Sequence, residues 1–481
     1  MYRTLRYSQG VTTTTAASRQ HTLRERNLEL VARAVFEAPE PPSRAAVAAA
    51  TGLTRATVST LIDQLVGARL LRELPAVADG RAGRPAVPLV PAGRSVLGLG
   101  LEVNVDYLGA RAIDLTGTVV AERVLPGAFH DSDPGEVLGE LGRIARGIAQ
   151  DVRHGDMRLA GARLALPGLV DARAGVLDVA PNLGWSSVEP APLLDVPGLP
   201  VEIANEAKLA ALAELAGPGL TGGGPQNGPP GALVPDSFLY VSGDVGIGAA
   251  VVVGRELFLG ERGWNGEVGH VVVDPAGPRC SCGARGCLEQ FAGKEALARA
   301  AGLPADAPLG DLLVLLGTPD PGTAEGGIPG PGTAEGGTPG QGAAEGGPTG
   351  PSAESGSRAA RGPGAEAGPD TAADGATGPS PDPSARHAAR AAVRRAGSAL
   401  GSALADFVNL VDVHTVVLGG IYTELLPWLR PEVETVLAER VLAAPFVELE
   451  VRAAQAGPQA ALTGGAREVL RGVLADPAAW T

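Results

Sequence analysis

The sequence predicts an α/β protein with a small helical head, a large body of alternating strands and helices, and an insertion that does not fold. Three observations carry that prediction. From Ser95 onward strand-like runs alternate with helical ones. Residues 26–72 hold three short helical patterns separated by turn signals. Residues 317–384 contain no Leu, Val or aromatic residue and one Ile, Ile328, while Ala-Glu-Gly-Gly recurs at Ala324, Ala334 and Ala344. Such a segment cannot bury enough apolar surface to offset its ordering entropy, so it is expected to be a disordered insertion rather than a solenoid. Gly217 to Asp236 is a smaller loop of the same kind. The chain's 69 Gly and 41 Pro are therefore unevenly placed, and its 44% hydrophobic content still supplies a large core and excludes a wholly disordered protein.

The elements follow in order. Residues 1–22 are polar and Thr-rich and are expected to be a disordered tail. Residues 23–94 form the head. Its first helix is expected over 27–37, with Leu28, Val31, Ala34 and Val35 at helical spacing and Pro39, Pro41 and Pro42 ending it. The second starts at an N-cap, Ser43, and stops at Gly52. The third is capped by Thr54, with Val58, Leu61, Ile62 and Leu65 on one face. Two helices joined across Thr51-Gly52-Leu53 behind a leading helix make a helix-turn-helix pattern. Residues 70–74 and 86–90 can then pair as strands around Gly80 to Pro85, as in a wing.

An ordinary three-helix bundle fits the periodicity equally well, and charge favours DNA binding. Residues 1–94 hold 13 Lys and Arg against 7 Asp and Glu, a net +6, while the remainder carries −20 of the chain's total of −14. A basic head on an acidic body suggests that the head alone meets a polyanion. Arg44, Arg55, Thr57, Ser59 and Thr60 are the candidates for duplex contacts, with Arg81 and Arg84 reaching phosphates or a minor groove from the wing or belonging to a solvated basic loop.

In the body, strands are expected over 96–105, 108–114, 159–166, 238–241, 249–253 and 415–418, with a helix over 206–215. The three cysteines, Cys280, Cys282 and Cys287, form an odd set in one short loop. That is poor material for a disulfide framework and good material for a metal site. Three free cysteines are the alternative, but separations of one and four residues with intervening glycines favour metal. No secretory signal or spanning segment is read, since the most apolar stretch, residues 238–254, is broken by Asp244 and glycines. A cytoplasmic protein without membrane contact is the expectation.

The order of motifs resembles the ROK family, named for repressor, open reading frame and kinase. The most specific piece is Gly266-Glu267-Val268-Gly269-His270 followed by Cys280-Ser281-Cys282-Gly283-Ala284-Arg285-Gly286-Cys287-Leu288-Glu289. Pro167 to Asp171, Pro181 to Trp185, Asn205-Glu206-Ala207 and Val417 to Gly420 support it. The resemblance implies a two-lobed actin-like, sugar-kinase-like body, its first part at 95–316 and its C-terminal part at 385–481. It implies a structural zinc on His270, Cys280, Cys282 and Cys287, a closed donor set of one imidazole and three thiolates. It also carries sugar contacts onto Asn182, Asn205, Glu206, Glu267, His270 and Glu289. Members with a winged helix in front act as sugar-responsive regulators on a duplex operator, and a homodimer or higher homo-oligomer is expected.

The family's kinases carry two glycine-rich phosphate loops, and this sequence departs from both. Glu102-Val103-Asn104-Val105-Asp106 stands where Asp-x-Gly-Gly-Thr is expected, and Asp244-Val245-Gly246-Ile247-Gly248 replaces Gly-Thr-Gly-Ile-Gly. Glu206 takes the place of the catalytic Asp, and a shift of about an ångström at that carboxylate can cost ~100-fold. The expectation is a non-enzymatic repressor; the alternatives are a ROK sugar kinase and a DNA-binding protein whose body is only a scaffold.

Overall fold

The computed structural model describes residues 16–76, 86–216, 235–319 and 382–481. Most of the expected tail, Arg81 and Arg84, the loop over 217–234 and the insertion over 320–381 lie outside the described residues.

The head comprises α1 (Ala16–Phe36), α2 (Arg44–Thr51), α3 (Arg55–Gly67) and the antiparallel pair β1 (Leu71–Glu73) and β2 (Leu89–Pro91). Its caps are those the sequence indicates. Ser43 accepts from the Ala46 amide, Gly52 stops α2 at φ +71°, and Thr54 accepts from the Thr57 amide. Helices α2 and α3 meet at 117°, within the helix-turn-helix range. Helix α1 starts well before residue 27, because residues 16–26 contain neither Gly nor Pro to stop it.

The first lobe is built from β3 (Val96–Val103), β4 (Tyr107–Asp114), β5 (Val119–Pro126), α4 (Pro134–His154) and β6 (Arg158–Leu166). It continues through β7 (Leu169–Asp171), β8 (Val176–Ala180), β9 (Trp185–Val188), α5 (Pro190–Leu194), β10 (Val201–Asn205) and α6 (Glu206–Ala216). Its main sheet has the order β10-β6-β3-β4-β5, with β10, β6 and β3 parallel, and β7, β8 and β9 form a small separate sheet. All eight residues of β3 are buried, as befits a central strand covered on both faces.

The second lobe holds β11 (Phe238–Gly243), β12 (Ile247–Val253), β13 (Glu256–Phe258), α7 (Glu289–Ala292), α8 (Lys294–Ala300) and α9 (Leu309–Leu316). Across the insertion come α10 (Pro383–Val411), β14 (Thr415–Gly420), α11 (Ile421–Arg440) and β15 (Glu450–Ala453), and the sheet order is β13-β12-β11-β14-β15. The insertion ends slightly earlier than expected: Asp382 caps α10, so Pro383 and Ser384 belong to that helix.

The last helix, α12 (Ala460–Ala475), returns to the first lobe. It lies so close to β3 that a Cβ on Gly98 or Gly100 would sit 2.0 Å from the Ala466 carbonyl oxygen or 1.9 Å from that of Leu462. Its outer face completes the head's core, where Ala466, Leu470, Val473 and Leu474 join Leu28, Val31, Val35, Ile62 and Leu65. The C-terminal part is therefore divided between lobes, and the head shares its core with the body. Arg69 pairs with Asp156 at 2.8 Å and Arg158 donates to the Ala68 carbonyl at the same seam. Among the described residues no single helix is long and apolar enough to cross a membrane.

Candidate functional site

The carboxyl ends of the parallel strands β3, β6 and β10 open onto one cleft between the lobes, the usual place for a ligand in such sheets. It encloses about 620 Å³ including its open mouth. Asn182, Asn205, Glu206, Glu267, His270 and Glu289, scattered over more than a hundred residues of sequence, all line it.

Local structure explains how each arrives. Asn205 ends β10; its Oδ1 accepts from the Ala207 and Lys208 amides and its Nδ2 donates to the Gly168 carbonyl, leaving one N–H for the cleft. Glu206 is the first residue of α6. Asn182 stands in the turn from β8 to β9, which Gly184 allows at φ +71°. Gly266 adopts φ +97°, and a Cβ there would meet the Ala249 carbonyl oxygen at 2.0 Å, so the loop presses against β12 and turns Glu267 and His270 inward. Glu289 opens α7 directly after the cysteine loop.

The cleft is rich in partly desolvated acids. Burial, reinforced by the charges of Glu102, Asp244 and Glu267, pushes Glu206 up to about 8. Burial likewise raises Glu102 and Glu289 to about 7 and lifts Asp244 and Glu267 above the usual carboxylate range. It lowers His270 and Lys208, whose Nζ donates to the Asn265 carbonyl. A carboxyl accepts hydrogen bonds at both oxygens and donates one when it holds a proton, which suits vicinal hydroxyls.

On one side of the cleft, His270 Nδ1 lies 3.7 Å from Cys280 Sγ, and Cys282 Sγ lies 3.6 Å from Cys287 Sγ. All four donor atoms fall within 4.8 Å of one another. A tetrahedral ion with bonds of ~2.3 Å separates its ligands by ~3.8 Å, so the set can hold a metal ion as it stands. The Cys280 amide bonds to the Ala284 carbonyl and Gly283 to that of Cys280, folding the loop over its donors. Burial and the neighbouring thiols push Cys287 up to about 12, a repulsion that a bound dication reverses.

The other end of the cleft holds contacts that sequence reasoning did not foresee. Asn104, just past β3, donates to Asp244 Oδ2 at 3.2 Å, and Lys294 Nζ lies 2.5 Å from Asp106 Oδ2. Both bonds run from the first lobe to the second. No spacing announces them, although the replaced loop motifs mark Asn104, Asp106 and Asp244 as unusual.

In the head, Arg55, Thr57, Ser59 and Thr60 lie at the N-terminal half of α3, with Arg55 exposed. The Thr57 hydroxyl meets that of Thr54, and the Thr60 hydroxyl donates to the Ala56 carbonyl. Arg44 behaves differently from the expectation. Its guanidinium bonds to Asp63, Glu73 and the Ser59 carbonyl, so it braces α2, α3 and β1 instead of projecting as a free cation.

Fold and site together define a two-lobed, actin-like, sugar-kinase-like protein with a helix-turn-helix head. The chain belongs to the ROK family, whose model matches residues 99–324 and 383–471. It is 31% identical to the xylose repressor of Bacillus subtilis strain 168 over 260 residues, 53% of this chain and 63% of that protein. With the DNA-binding transcriptional dual regulator NagC of Escherichia coli K12 the identity is 28% over 262 residues, 53% of this chain and 60% of the relative. The matched stretch thus spans about three fifths of these relatives. In fold it resembles a ROK family transcriptional regulator, a homolog of the E. coli MLC protein (TM-score 0.63, 22% identity, 94% of this chain and 97% of that one). It also resembles a Streptomyces griseus ROK glucokinase solved with glucose and AMPPNP (TM-score 0.51, 20% identity, 78% and 100%).

Proposed function

We propose that this chain is a sugar-responsive transcriptional regulator, a repressor, in which the cleft binds a sugar and the head binds a duplex operator. The observation that carries the reading is the cleft itself. It gathers six hydroxyl-compatible residues, while the turns at its far end bear Asp244 and Asn104 bonded to each other in place of open glycine loops. Phosphoryl transfer needs backbone amides open to phosphate and a well-placed base, and the added carboxylates of Asp106 and Asp244 with Glu206 in place of an Asp support its loss in this reading. The repressor names of the curated relatives support the same reading.

In this reading residues 23–94 are the DNA-binding unit, and Arg55, Thr57, Ser59 and Thr60 face the major groove with Arg81 and Arg84 on the flanking phosphates. Residues 95–316 and 385–481 are the sensor. Zinc on His270, Cys280, Cys282 and Cys287 is structural, holding the loop that carries His270 and Glu289 toward the sugar. The protein works in the cytoplasm as a homodimer or larger homo-oligomer, because one small module makes too few contacts for strong operator specificity.

Linkage supplies the test. Sugar binding is measured by calorimetry with and without operator, and operator binding by anisotropy with and without sugar. The two must change by the same factor, with a coupling of roughly 1–3 kcal/mol. Arg55→Ala should weaken operator binding. A sugar that binds but leaves operator affinity unchanged replaces the sensor with the scaffold reading, and sugar-dependent ADP release replaces it with the kinase.

A further inference from the structure

The end of the cleft bridged by Asn104 and Asp244 has a composition that the sensor reading does not use. Four carboxyl groups converge there from three elements: Glu102 and Asp106 flanking the β3–β4 turn, Glu206 at the start of α6, and Asp244 between β11 and β12. Glu102 is 3% exposed, its Oε2 has no hydrogen-bond partner, and Tyr107 is its side-chain neighbour. The lysine that reaches this end, Lys294, is already neutralised by Asp106. Arg111 acts on Glu102 from the far side of the hairpin while bonded to Glu122 and Thr463. Among the described residues lining this corner, then, each cation in reach is spoken for.

Resting on the sensor reading, we propose that the cleft takes the unphosphorylated sugar and rejects its phosphate ester, with Asp244 as the main discriminating residue and Asp106 as the second. A phosphate monoester carries about −1.5 to −2 charges near pH 7 and needs donors or cations on its oxygens. Placed at this end, it would meet carboxyl groups in a partly desolvated corner, where like charges repel far more strongly than in water. To make room it would also have to break the Asn104–Asp244 bond that closes the lobes on one another. A hydroxyl or hydrogen at the same position meets no such opposition. The mutual repulsion that already raises Glu102, Glu206 and Asp244 opposes any further negative charge, whereas a hydroxyl brings none and can donate to their oxygens. Discrimination arises from the unfavourable pairing offered to the wrong ligand, not from an extra contact with the right one. The signal read is accordingly the sugar before any phosphoryl transfer, and the reaction class that removes the signal is a kinase acting on that sugar.

The experiment titrates the full chain in a calorimeter with neutral pentoses, hexoses and N-acetylated amino sugars, and with the terminal phosphate ester of each. The expected result is one or more free sugars that bind, each at least 100-fold tighter than its ester. In Asp244→Asn that ratio should narrow to about tenfold or less, through stronger binding of the ester. Asp106→Asn, checked by thermal unfolding alongside, should narrow it less and serves if the first variant is unstable. An ester binding as tightly as its free sugar overturns the exclusion while leaving the sensor reading intact. A ratio unchanged in both variants overturns the assignment to these two aspartates. Absence of binding by every free sugar and every ester removes the sensor reading, and the exclusion goes with it.

Discussion

The two ends of the cleft are held by opposite means. At one end a loop of little regular structure, residues 271–288, brings three sulfurs and one imidazole nitrogen into a compact set that can hold a metal ion. At the other, the lobes touch through two side-chain bonds, Asn104 in the β3–β4 turn to Asp244 between β11 and β12, and Lys294 at the start of α8 to Asp106. A metal bound in the first arrangement would fix the relation of His270 and Glu289 within one lobe. The second spans both lobes, and its ion pair, in which Asp106 is 42% exposed, can open and close at small cost. With the metal bound, a rigid grip would face a soft one, the arrangement a ligand-driven closure needs, since binding can change only what is free to move.

The contrast is broken most forcefully at the metal end. Cys282→Ser should remove the metal from the full chain and lower stability by several kcal/mol, on the scale of structural zinc sites. Metal analysis with thermal unfolding checks it, and equal zinc in both proteins would remove the site. Next in size is the proton held by Glu206. Its carboxyl rises from 4.5 to about 8 on folding, so the native state binds more protons than the unfolded one between those values. Stability contributed by this group is full below pH 4.5, is lost as pH rises toward 8, and is flat beyond. Each pH unit crossed in that window removes at most about 1.4 kcal/mol, and solvent at the mouth screens the effect, so the cumulative loss is a few kcal/mol at most. Denaturant unfolding of wild type and Glu206→Gln across that window should show a steeper decline in the wild type. Parallel curves would contradict the burial.

Glu267→Gln sharpens the comparison, because the residue lies beside the metal end without being a ligand. Zinc content should stay unchanged while sugar affinity falls by about 10- to 100-fold, the worth of a charge-assisted hydrogen bond of ~1.5–3 kcal/mol. The smallest effect belongs to the soft end. Lys294→Ala should cost under about 1 kcal/mol in unfolding, since Asp106 is 42% exposed, yet it should alter the change in small-angle scattering that sugar binding produces. A destabilisation as large as that of Cys282→Ser would abolish the distinction between the two ends.

What the sequence discloses follows the same division. The three cysteines lie within one short loop, so their spacing marks a candidate metal site to which the family motif adds His270, and the caps Ser43, Gly52 and Thr54 are local signals that the fold obeys. The six cleft residues are legible through motifs, each being tied to a turn or helix start that fixes its direction. The lobe-bridging pairs are not, because Lys294 and Asp106 lie 188 residues apart and each is an ordinary charged residue in its own neighbourhood. Arg44 misleads for a related reason. Its position at the head of α2 suggests an outward cation, but its partners Asp63 and Glu73 come from α3 and β1, and only folding brings them within reach.

The close seat of α12 bears on how this protein can have been assembled. Helix α12 buries Leu470, Val473 and Leu474 against the head, and its Gly464 lies against the Leu209 carbonyl of α6, whose first residue is Glu206 in the cleft. A recombination that exchanged residues 16–94 for a foreign reader would therefore leave α12 facing a surface it was not shaped for. A foreign head would pack well here only with a matching face on α12 exchanged alongside it. Designers who wish to retarget the protein to a new operator meet the same constraint. Changes confined to the exposed start of α3 respect it, and wholesale replacement of the head does not.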